Sequence, residues 1–168
     1  MDSVEYERIV KKYIDTVYRI AISYTKNTVD ADDIVQQTFV KLLVKKTHFQ
    51  DDEHIKRWLI RVCVNECKTM FASFWRKNVG SLEEVQEEIA FSKPEYSELY
   101  DEIKRLPAKC SVVIYLFYFE GYASKEIAEI LHIKEATVRT RLARARKLLR
   151  TQLKEACDDE GRIYQGSL

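Results

Sequence analysis

The chain has 168 residues, and its 28 Lys and Arg nearly balance its 27 Asp and Glu, for a formal net charge of +1. Its four Gly and two Pro are too few for the frequent turns of an all-β sandwich or barrel. The sequence also lacks the glycine-rich loops that cradle nucleotide phosphates. With 46% hydrophobic residues, the composition predicts an all-α protein with a packed core.

Apolar residues recur at helical spacing in three segments of the N-terminal part, which predicts helices over residues 4–24, 30–46 and 54–78. Thr28 or Asp30 is the expected N-cap of the second helix, and Trp58 and Phe71 are expected in the core. Long helices joined by short breaks are typical of antiparallel bundles. The first part of the chain is therefore predicted to form a three-to-four-helix bundle.

Charge divides the chain into blocks although the net charge is small. Residues 54–78 carry six Lys and Arg and one Glu, and residues 131–157 carry eight bases and two acids. Between these blocks, residues 81–104 carry eight acids and two bases, and Gly80 and Pro94 interrupt the helical pattern. The basic blocks predict two surfaces that face polyanions, and the acidic stretch predicts a linker.

A helix-turn-helix signature follows the linker. The apolar run at 110–119 predicts a buried central helix, and Ser124 is expected to cap a short helix that ends at Leu131. His132 falls in the turn, where a left-handed backbone usually favours Gly. In this motif the second helix, here from Glu135, enters the major groove of DNA. The residues expected to face inward are Ile127, Ala128, Leu131, Val138, Leu142 and Ala145.

Three motifs, in this order and spacing, are specific to one family. They are DADDIVQQTFVKLL at 30–43, WLIRV at 58–62 followed by Asn65, and EIA at 126–128 followed by TVRTRLARAR at 137–146. Over about residues 4–155 the chain resembles the extracytoplasmic-function sigma factors of bacteria. The resemblance implies a two-domain transcription initiation factor that binds core RNA polymerase and directs it to promoters.

The resemblance also implies a division of the chain. Residues 1–78 correspond to sigma region 2, which binds core polymerase and the melted minus-ten element. Residues 79–97 form the acidic linker, residues 98–157 correspond to sigma region 4, which binds the minus-thirty-five element, and residues 158–168 form a tail. The implied partners are core RNA polymerase, through its β′ clamp and β flap, promoter DNA, and an anti-sigma factor that is often membrane-anchored. No cofactor and no small-molecule substrate are expected.

Three sets of residues carry these expected contacts. The polymerase-binding set combines a polar helix face of mixed charge with a neighbouring Phe: Asp33, Gln36, Gln37, Phe39 and Lys41. The minus-ten set combines an aromatic ring and an amide for an unstacked base with cations for phosphates: Phe49, Arg61, Asn65 and Lys68. The upstream set supplies donors for base edges and phosphates: Thr137, Arg139, Thr140, Arg141, Arg144 and Lys147.

Two other classes of function are compatible with parts of the sequence. An enzyme could use Asp30, Asp32 and Asp33 with His48 or His54. However, Asp32 lies off the face that Asp30 and Asp33 share, and the sequence offers no nucleophile–base pair, so we expect no catalysis. The alternative to a sigma factor is a helix-turn-helix transcription regulator whose N-terminal bundle senses a ligand or dimerises.

The N-terminal residues show neither the basic nor the apolar region of an export signal. The longest apolar run, at 112–119, is too short to span a membrane. We therefore expect a cytoplasmic protein whose four cysteines are reduced thiols. Cys63 and Cys67 share a helical face, and core thiols are favoured over metal ligands because no second Cys or His pair lies near them in the sequence.

Overall fold

The structure is a computed structural model that describes residues 2–45, 48–77 and 97–159. These residues form seven α-helices and no strand, which confirms the predicted all-α fold. The helices are α1 (Ser3–Thr25), α2 (Thr28–Val44), α3 (Asp52–Lys77), α4 (Ser97–Arg105), α5 (Ala108–Tyr118), α6 (Ser124–Leu131) and α7 (Glu135–Asp159). Most of the expected acidic linker and of the expected tail lies outside the described residues.

The first compact unit contains α1, α2 and α3, each packed against the other two. Its core includes the fully buried side chains of Ile9, Ile20, Leu42, Leu59 and Ile60. α1 ends at Thr25, one residue beyond the predicted end, and the following Lys26 has a left-handed φ of 56° and donates its N–H to the carbonyl of Ile22. This geometry satisfies a carbonyl at the end of the helix.

The N-cap of α2 corrects the expectation of Thr28 or Asp30. The side chain of Asn27 accepts hydrogen bonds from the N–H groups of Val29 at 2.8 Å and Asp30 at 3.1 Å. Thr28 and Asp30 therefore lie inside the first turn, where the carboxylate of Asp30 faces the positive end of the helix dipole. Asn, Thr and Asp are all good N-caps, so the sequence rule alone does not distinguish three neighbours.

Neither of the two aromatic residues of α3 that were expected in the core is fully buried. Trp58 is half-buried, whereas Phe71 is 36% exposed, so its prediction as a core residue is wrong. Phe71 lies one turn beyond Cys67, the last buried residue among the described side chains of α3. The packed face of the helix has ended before it reaches this ring.

The second compact unit is built around α4, α5 and α7, which pack against one another. Seven consecutive residues of α5, from Cys110 to Leu116, are buried, which confirms the predicted central helix. The six residues expected to face inward in the helix-turn-helix are also all buried. The cap of α6 differs from the prediction: Ala123 precedes the helix, its N–H donates to the carboxylate of Glu126 at 2.9 Å, and Ser124 lies inside the first turn.

Three of the four cysteines, Cys63, Cys67 and Cys110, are buried free thiols, as expected for core residues. Burial raises the pKa of the Cys63 thiol well above its ordinary value. Among residues 2–45, 48–77 and 97–159, no group of three or more His, Cys, Asp or Glu is placed to hold a metal ion. None of the helices in these ranges combines the length and the hydropathy that a membrane span requires.

Candidate functional site

The turn between α6 and α7 has the conformation that the helix-turn-helix requires. His132 has a φ of 52°, in the left-handed region, and the N–H of Ile133 donates to the carbonyl of Ala128 at 3.1 Å. The carbonyl of Lys134 accepts from the N–H groups of Thr137 and Val138, so α7 begins immediately after the turn. The predicted turn position of His132 is therefore confirmed.

Buried residues define which side of α7 faces solvent. Val138, Leu142 and Ala145 are buried and form the inner face. At about 100° per residue, Thr140 and Lys147 lie opposite this face, and both are exposed. These two residues of the upstream set are therefore on the outermost line of the helix.

The arginines of the upstream set lie on two opposite flanks of α7. Arg141 and Arg144 share one flank with Thr137, and they line a notch at the start of α5. Arg139 lies on the other flank, where its guanidinium forms an ion pair with Glu135 at 2.6 Å. The structure thus brings Arg141 and Arg144 together and separates Arg139 from them.

Arg146 shares the flank of Arg139 and is held by aromatic residues. Its Nε donates to the hydroxyl of Tyr118 at 2.9 Å, and its guanidinium carbon lies 5.5 Å from the ring centroid of Phe117. Cation–π contact and a hydrogen bond together fix this side chain against α5. Arg146 therefore has a structural partner within its own unit.

An aromatic and cationic cluster, formed by Lys45, Phe49, His54 and Trp58, surrounds the loop before α3. The ring of Phe49 packs edge-on against His54 at 5.4 Å and against Trp58 at 5.6 Å between centroids. The Nζ atom of Lys45 lies 4.5 Å from the Phe49 centroid and 4.3 Å from that of Trp58. Burial against these rings and the positive charge of Arg61 lower the pKa of Lys45. Lys45 and Trp58 were not among the predicted site residues.

Hydrogen bonds fix this loop to the start of α3. The carboxylate of Asp51 accepts from the N–H of His54 at 2.7 Å, and Nδ1 of His54 accepts from the N–H of Gln50 at 3.3 Å. Asp52 forms ion pairs with Arg8 at 2.9 Å and Lys12 at 2.6 Å. These two cations of α1 lower the pKa of Asp52 to about 2.

Three residues of the minus-ten set form one stripe on α3 together with Trp58. Trp58, Arg61, Asn65 and Lys68 are spaced at i, i+3, i+7 and i+10, so they lie on the same side of the helix. Asn65 and Lys68 are exposed, and Arg61 is half-buried. The stripe starts at the aromatic cluster and extends about 15 Å along the axis. Phe49, at the head of the stripe, is therefore the aromatic end of the predicted set.

The polymerase-binding set is only partly on the surface. Asp33, Gln36 and Gln37 are exposed, whereas Phe39 is buried at 5% exposure and belongs to the core of its unit. Lys41 forms an ion pair with Glu66 of α3. Asp33, Gln36 and Gln37 therefore form the available face, Phe39 packs in the core, and Lys41 is exposed but is paired with α3.

Apolar side chains outside the predicted polymerase-binding set extend this face. Val40, Leu43 and Val44 are 51%, 56% and 67% exposed at the C-terminal end of α2. They fall outside the buried stripe of α2. The helical spacing of the sequence could have identified them, because it places these apolar residues on the same side as the polar ones. An exposed apolar patch beside polar residues is typical of a protein-binding surface.

The second unit carries an apolar groove of about 770 Å³ that was also not predicted. Leu99 and Ile103 of α4, Tyr118 of α5 and Leu153 of α7 are among its lining residues. Three of these side chains, Leu99, Tyr118 and Leu153, are 42%, 57% and 41% exposed. The groove is therefore a second candidate protein-binding surface.

These surfaces define an all-α DNA-binding protein with separate candidate surfaces for protein partners. Comparison with known proteins gives the family. Residues 9–77 match Sigma-70 region 2, and residues 96–149 match Sigma-70, region 4. RNA polymerase sigma factor SigV of Bacillus subtilis is 34% identical over 140 residues, which cover 81% of this chain and 83% of SigV.

The chain therefore belongs to the extracytoplasmic-function RNA polymerase sigma factors, which bind core polymerase and direct promoter-specific transcription initiation. Because a region 2 is present beside region 4, the alternative of a regulator with a sensory or dimerisation bundle is set aside.

Two solved structures share the fold. The sigma factor RpoE of Bartonella quintana, in complex with the anti-sigma factor NepR, matches with a TM-score of 0.72 at 22% identity, over 89% of this chain and 97% of RpoE. CnrH, in complex with the cytosolic domain of CnrY, matches with a TM-score of 0.63 at 22% identity, over 92% of this chain and 90% of CnrH.

Proposed function

We propose that the two units divide promoter recognition between them. Residues 1–78 act as the unit for core polymerase and the melted minus-ten element, and residues 98–157 act as the unit for the minus-thirty-five element. Residues 79–97 connect them, and residues 158–168 form a tail. The observation that carries this division is the aromatic and cationic cluster at the start of α3, which offers stacking partners to unpaired bases and has no counterpart on α7.

The minus-ten element is bound along the stripe of α3. An unstacked base lies against Phe49 and hydrogen-bonds with the exposed amide of Asn65, while Arg61 and Lys68 approach phosphates. Extruding a base costs a few kcal/mol, which a pocket recovers through apolar contact and hydrogen bonds. Trp58 and Lys45 support this function by holding the Phe49 ring.

The upstream element is bound by α7 in the major groove. Thr140 and Lys147 lie on the outermost line of the helix, and Thr137, Arg141 and Arg144 lie on one flank. Arg139 reaches the DNA only if it exchanges its ion pair with Glu135 for a phosphate or a base. Arginine suits this site because its guanidinium matches the two acceptors of guanine in the major groove.

Core polymerase is bound by the exposed face of α2, through its β′ clamp. Asp33, Gln36 and Gln37 supply polar contacts, and Val40 and Leu43 supply apolar area. Buried Phe39 and the Lys41–Glu66 ion pair contribute by fixing α2 against α3. The apolar groove of the second unit binds the β flap of the polymerase.

An anti-sigma factor regulates the chain by covering its polymerase-binding surface. Both solved relatives carry a bound protein: the anti-sigma factor NepR on RpoE, and the cytosolic domain of CnrY on CnrH. The exposed apolar patch of α2 is the surface that such a partner would cover. A membrane anchor on this partner would hold the sigma factor at the inner face of the membrane.

The protein acts in the cytoplasm, where its polymerase and promoters are, and it contributes no catalytic group and no cofactor of its own. Nucleotide addition is carried out by the core enzyme.

Run-off transcription with core RNA polymerase on genomic promoter fragments tests the assignment as a whole. We expect defined transcripts that require this chain. The double variant Asp33→Ala, Gln36→Ala should compete less well for core, because side chains near the centre of an interface can be worth about 2 kcal/mol or more. Its circular dichroism should be unchanged, since both side chains are exposed. Equal competition by the variant and the wild type would overturn the proposed polymerase face.

A further inference from the structure

The notch between the start of α5 and the middle of α7 has a volume of about 380 Å³. Three cationic side chains line it: Lys109 from α5, and Arg141 and Arg144 from α7. Thr140 also lines the notch and lies on the outermost line of α7. The notch therefore adjoins the face of α7 that points to solvent, and it receives side chains from a helix outside the helix-turn-helix.

The positive charge in the notch is not compensated within the described part of the chain. Lys109, Arg141 and Arg144 form no ion pair with any described residue, and no Asp or Glu is among the lining residues. On the opposite flank, by contrast, Arg139 is paired with Glu135, and Arg146 is bound to Tyr118. Three cations without a counter-charge favour an anion as the ligand.

The guanidinium groups of Arg141 and Arg144 lie near the first turn of α5. Burial raises the pKa of the Cys110 thiol, and the positive charges of Arg144 and Arg141 act against that rise, as expected for cations close to the sulfur. No side chain caps the first turn of α5, so the partial positive charge of its N–H groups adds to that of the side chains. The lining includes no aromatic side chain on which a nucleobase could stack.

We propose that this notch binds one backbone phosphate of the upstream promoter duplex, and that Lys109 is a DNA contact. The proposal rests on the proposed binding of the upstream element by α7. Arg141 and Arg144 offer planar donors that match phosphate oxygens, and Lys109 adds a point charge from α5. Phosphate contacts set the position of a protein on the duplex, and base contacts set its specificity. A phosphate held from α5 and α7 together would fix the rotation of α7 in the groove.

The first test is the salt dependence of promoter binding by the holoenzyme with Lys109→Gln. Each phosphate contact contributes about 0.9 to the slope of log K against log salt concentration. We expect Lys109→Gln to reduce this slope by about one and to leave the preference for the intact upstream element over a scrambled one unchanged. Lys154→Gln is the matched control, because it removes the same charge from an exposed residue further along α7 that does not line the notch.

The second test identifies the phosphate. Upstream phosphates are replaced one at a time by uncharged methylphosphonates, and holoenzyme binding is measured for the wild type and for Lys109→Gln. One replacement should weaken the wild type several-fold and weaken Lys109→Gln clearly less, because only Arg141 and Arg144 still contact that phosphate in the variant. Two results would overturn the phosphate site: equal sensitivity of both proteins at every position, or an unchanged salt slope in Lys109→Gln. If the wild type still prefers the intact upstream element, the proposed function of α7 is unaffected by either result. A wild-type holoenzyme without that preference would overturn the proposed function of α7 itself.

Discussion

The helices α3 and α7 both present basic side chains to solvent, but the neighbours of those side chains differ. On α3 the cations share a stripe with Trp58 and the amide of Asn65, and the ring of Phe49 lies at its end. α7 contains no aromatic residue, and its outermost line is formed by Thr140 and Lys147. Rings suit unpaired bases, which can stack, whereas long donors suit base edges in an intact groove. Positive charge alone therefore does not predict which form of DNA a helix binds. The side chains beside the cations are the better indicator.

Replacing Arg141 and Arg144 together by Ala removes the cationic flank of α7 and has the largest expected effect. Each lost arginine contact with the DNA costs about 1–3 kcal/mol, so the double variant should bind duplex promoter at least about 30-fold more weakly. Footprinting of the holoenzyme should show loss of upstream protection. Binding to a single-stranded minus-ten oligonucleotide should not change, because we assign that element to α3.

The control for this comparison is Arg139→Ala. Arg139 lies on the opposite flank and is paired with Glu135, so its loss should weaken binding less than the loss of Arg141 and Arg144. A loss as large as that of the double variant would contradict the division of α7 into two unequal flanks.

Asn65→Ala tests the α3 side of the comparison. The lost hydrogen bond to an extruded base should cost about 1–2 kcal/mol, or roughly tenfold in the fraction of open promoter. Permanganate reactivity of thymines in the start region should fall, while core binding and upstream protection stay intact. Phe71→Ala is the control, since this exposed ring lies on α3 beyond the packed core and about one turn past Lys68, the last residue of the stripe. Normal reactivity of Asn65→Ala across several promoters would leave the amide without a role in recognition.

A smaller effect is expected from the turn before α7. His132 is left-handed at a φ of 52°, a conformation that costs a residue with a Cβ atom about 1–2 kcal/mol more than Gly. His132→Gly should therefore increase the free energy of unfolding by roughly 0.5–1 kcal/mol, after the greater entropy of Gly in the unfolded chain is subtracted. Urea denaturation measures the change. His132→Ala, which keeps the Cβ atom, should give no such gain.

The smallest expected effect is a pH dependence at the start of α3. The pKa of Asp52 is about 2 in the folded chain, below its ordinary value of 3.8, because Arg8 and Lys12 stabilise the carboxylate. Its contribution to stability is therefore complete above the ordinary value and is lost as the pH falls towards 2. Since all three side chains are partly exposed, salt should reduce the contribution. Urea titrations between pH 5 and pH 2.5 should show a smaller loss of stability for Asp52→Asn than for the wild type.

Features that depend on local period were predictable from the sequence. The inward residues of the helix-turn-helix follow from the spacing of Ile127, Val138 and Leu142, and the turn at His132 follows from the break between two such patterns. The N-caps were less predictable. The predicted caps, Thr28 or Asp30 and Ser124, all lie inside the first turns of α2 and α6. Helix ends are defined by single hydrogen bonds, which several neighbouring residue types can make.

Features that depend on contacts between distant residues were not predictable. The ion pairs of Lys41 with Glu66 and of Asp52 with Arg8 join residues 25 and 44 positions apart, and periodicity does not indicate such partners. For the same reason, Phe39 was predicted on the polymerase-binding surface although it is buried. The apolar groove of the second unit is likewise formed by side chains from three helices, none of which indicates it alone.

The link between α1 and Asp52 has a consequence for genetics. Arg8 and Lys12 hold the residue that follows the Phe49 loop, although 44 and 40 positions separate them from it. A selection for mutants that assemble with core but fail to open promoters should therefore return substitutions at Arg8 and Lys12 as well as in the loop. Second-site mutations that restore the function of such mutants would map to the first turns of α3. Mutations in α1 and at the start of α3 would therefore suppress one another.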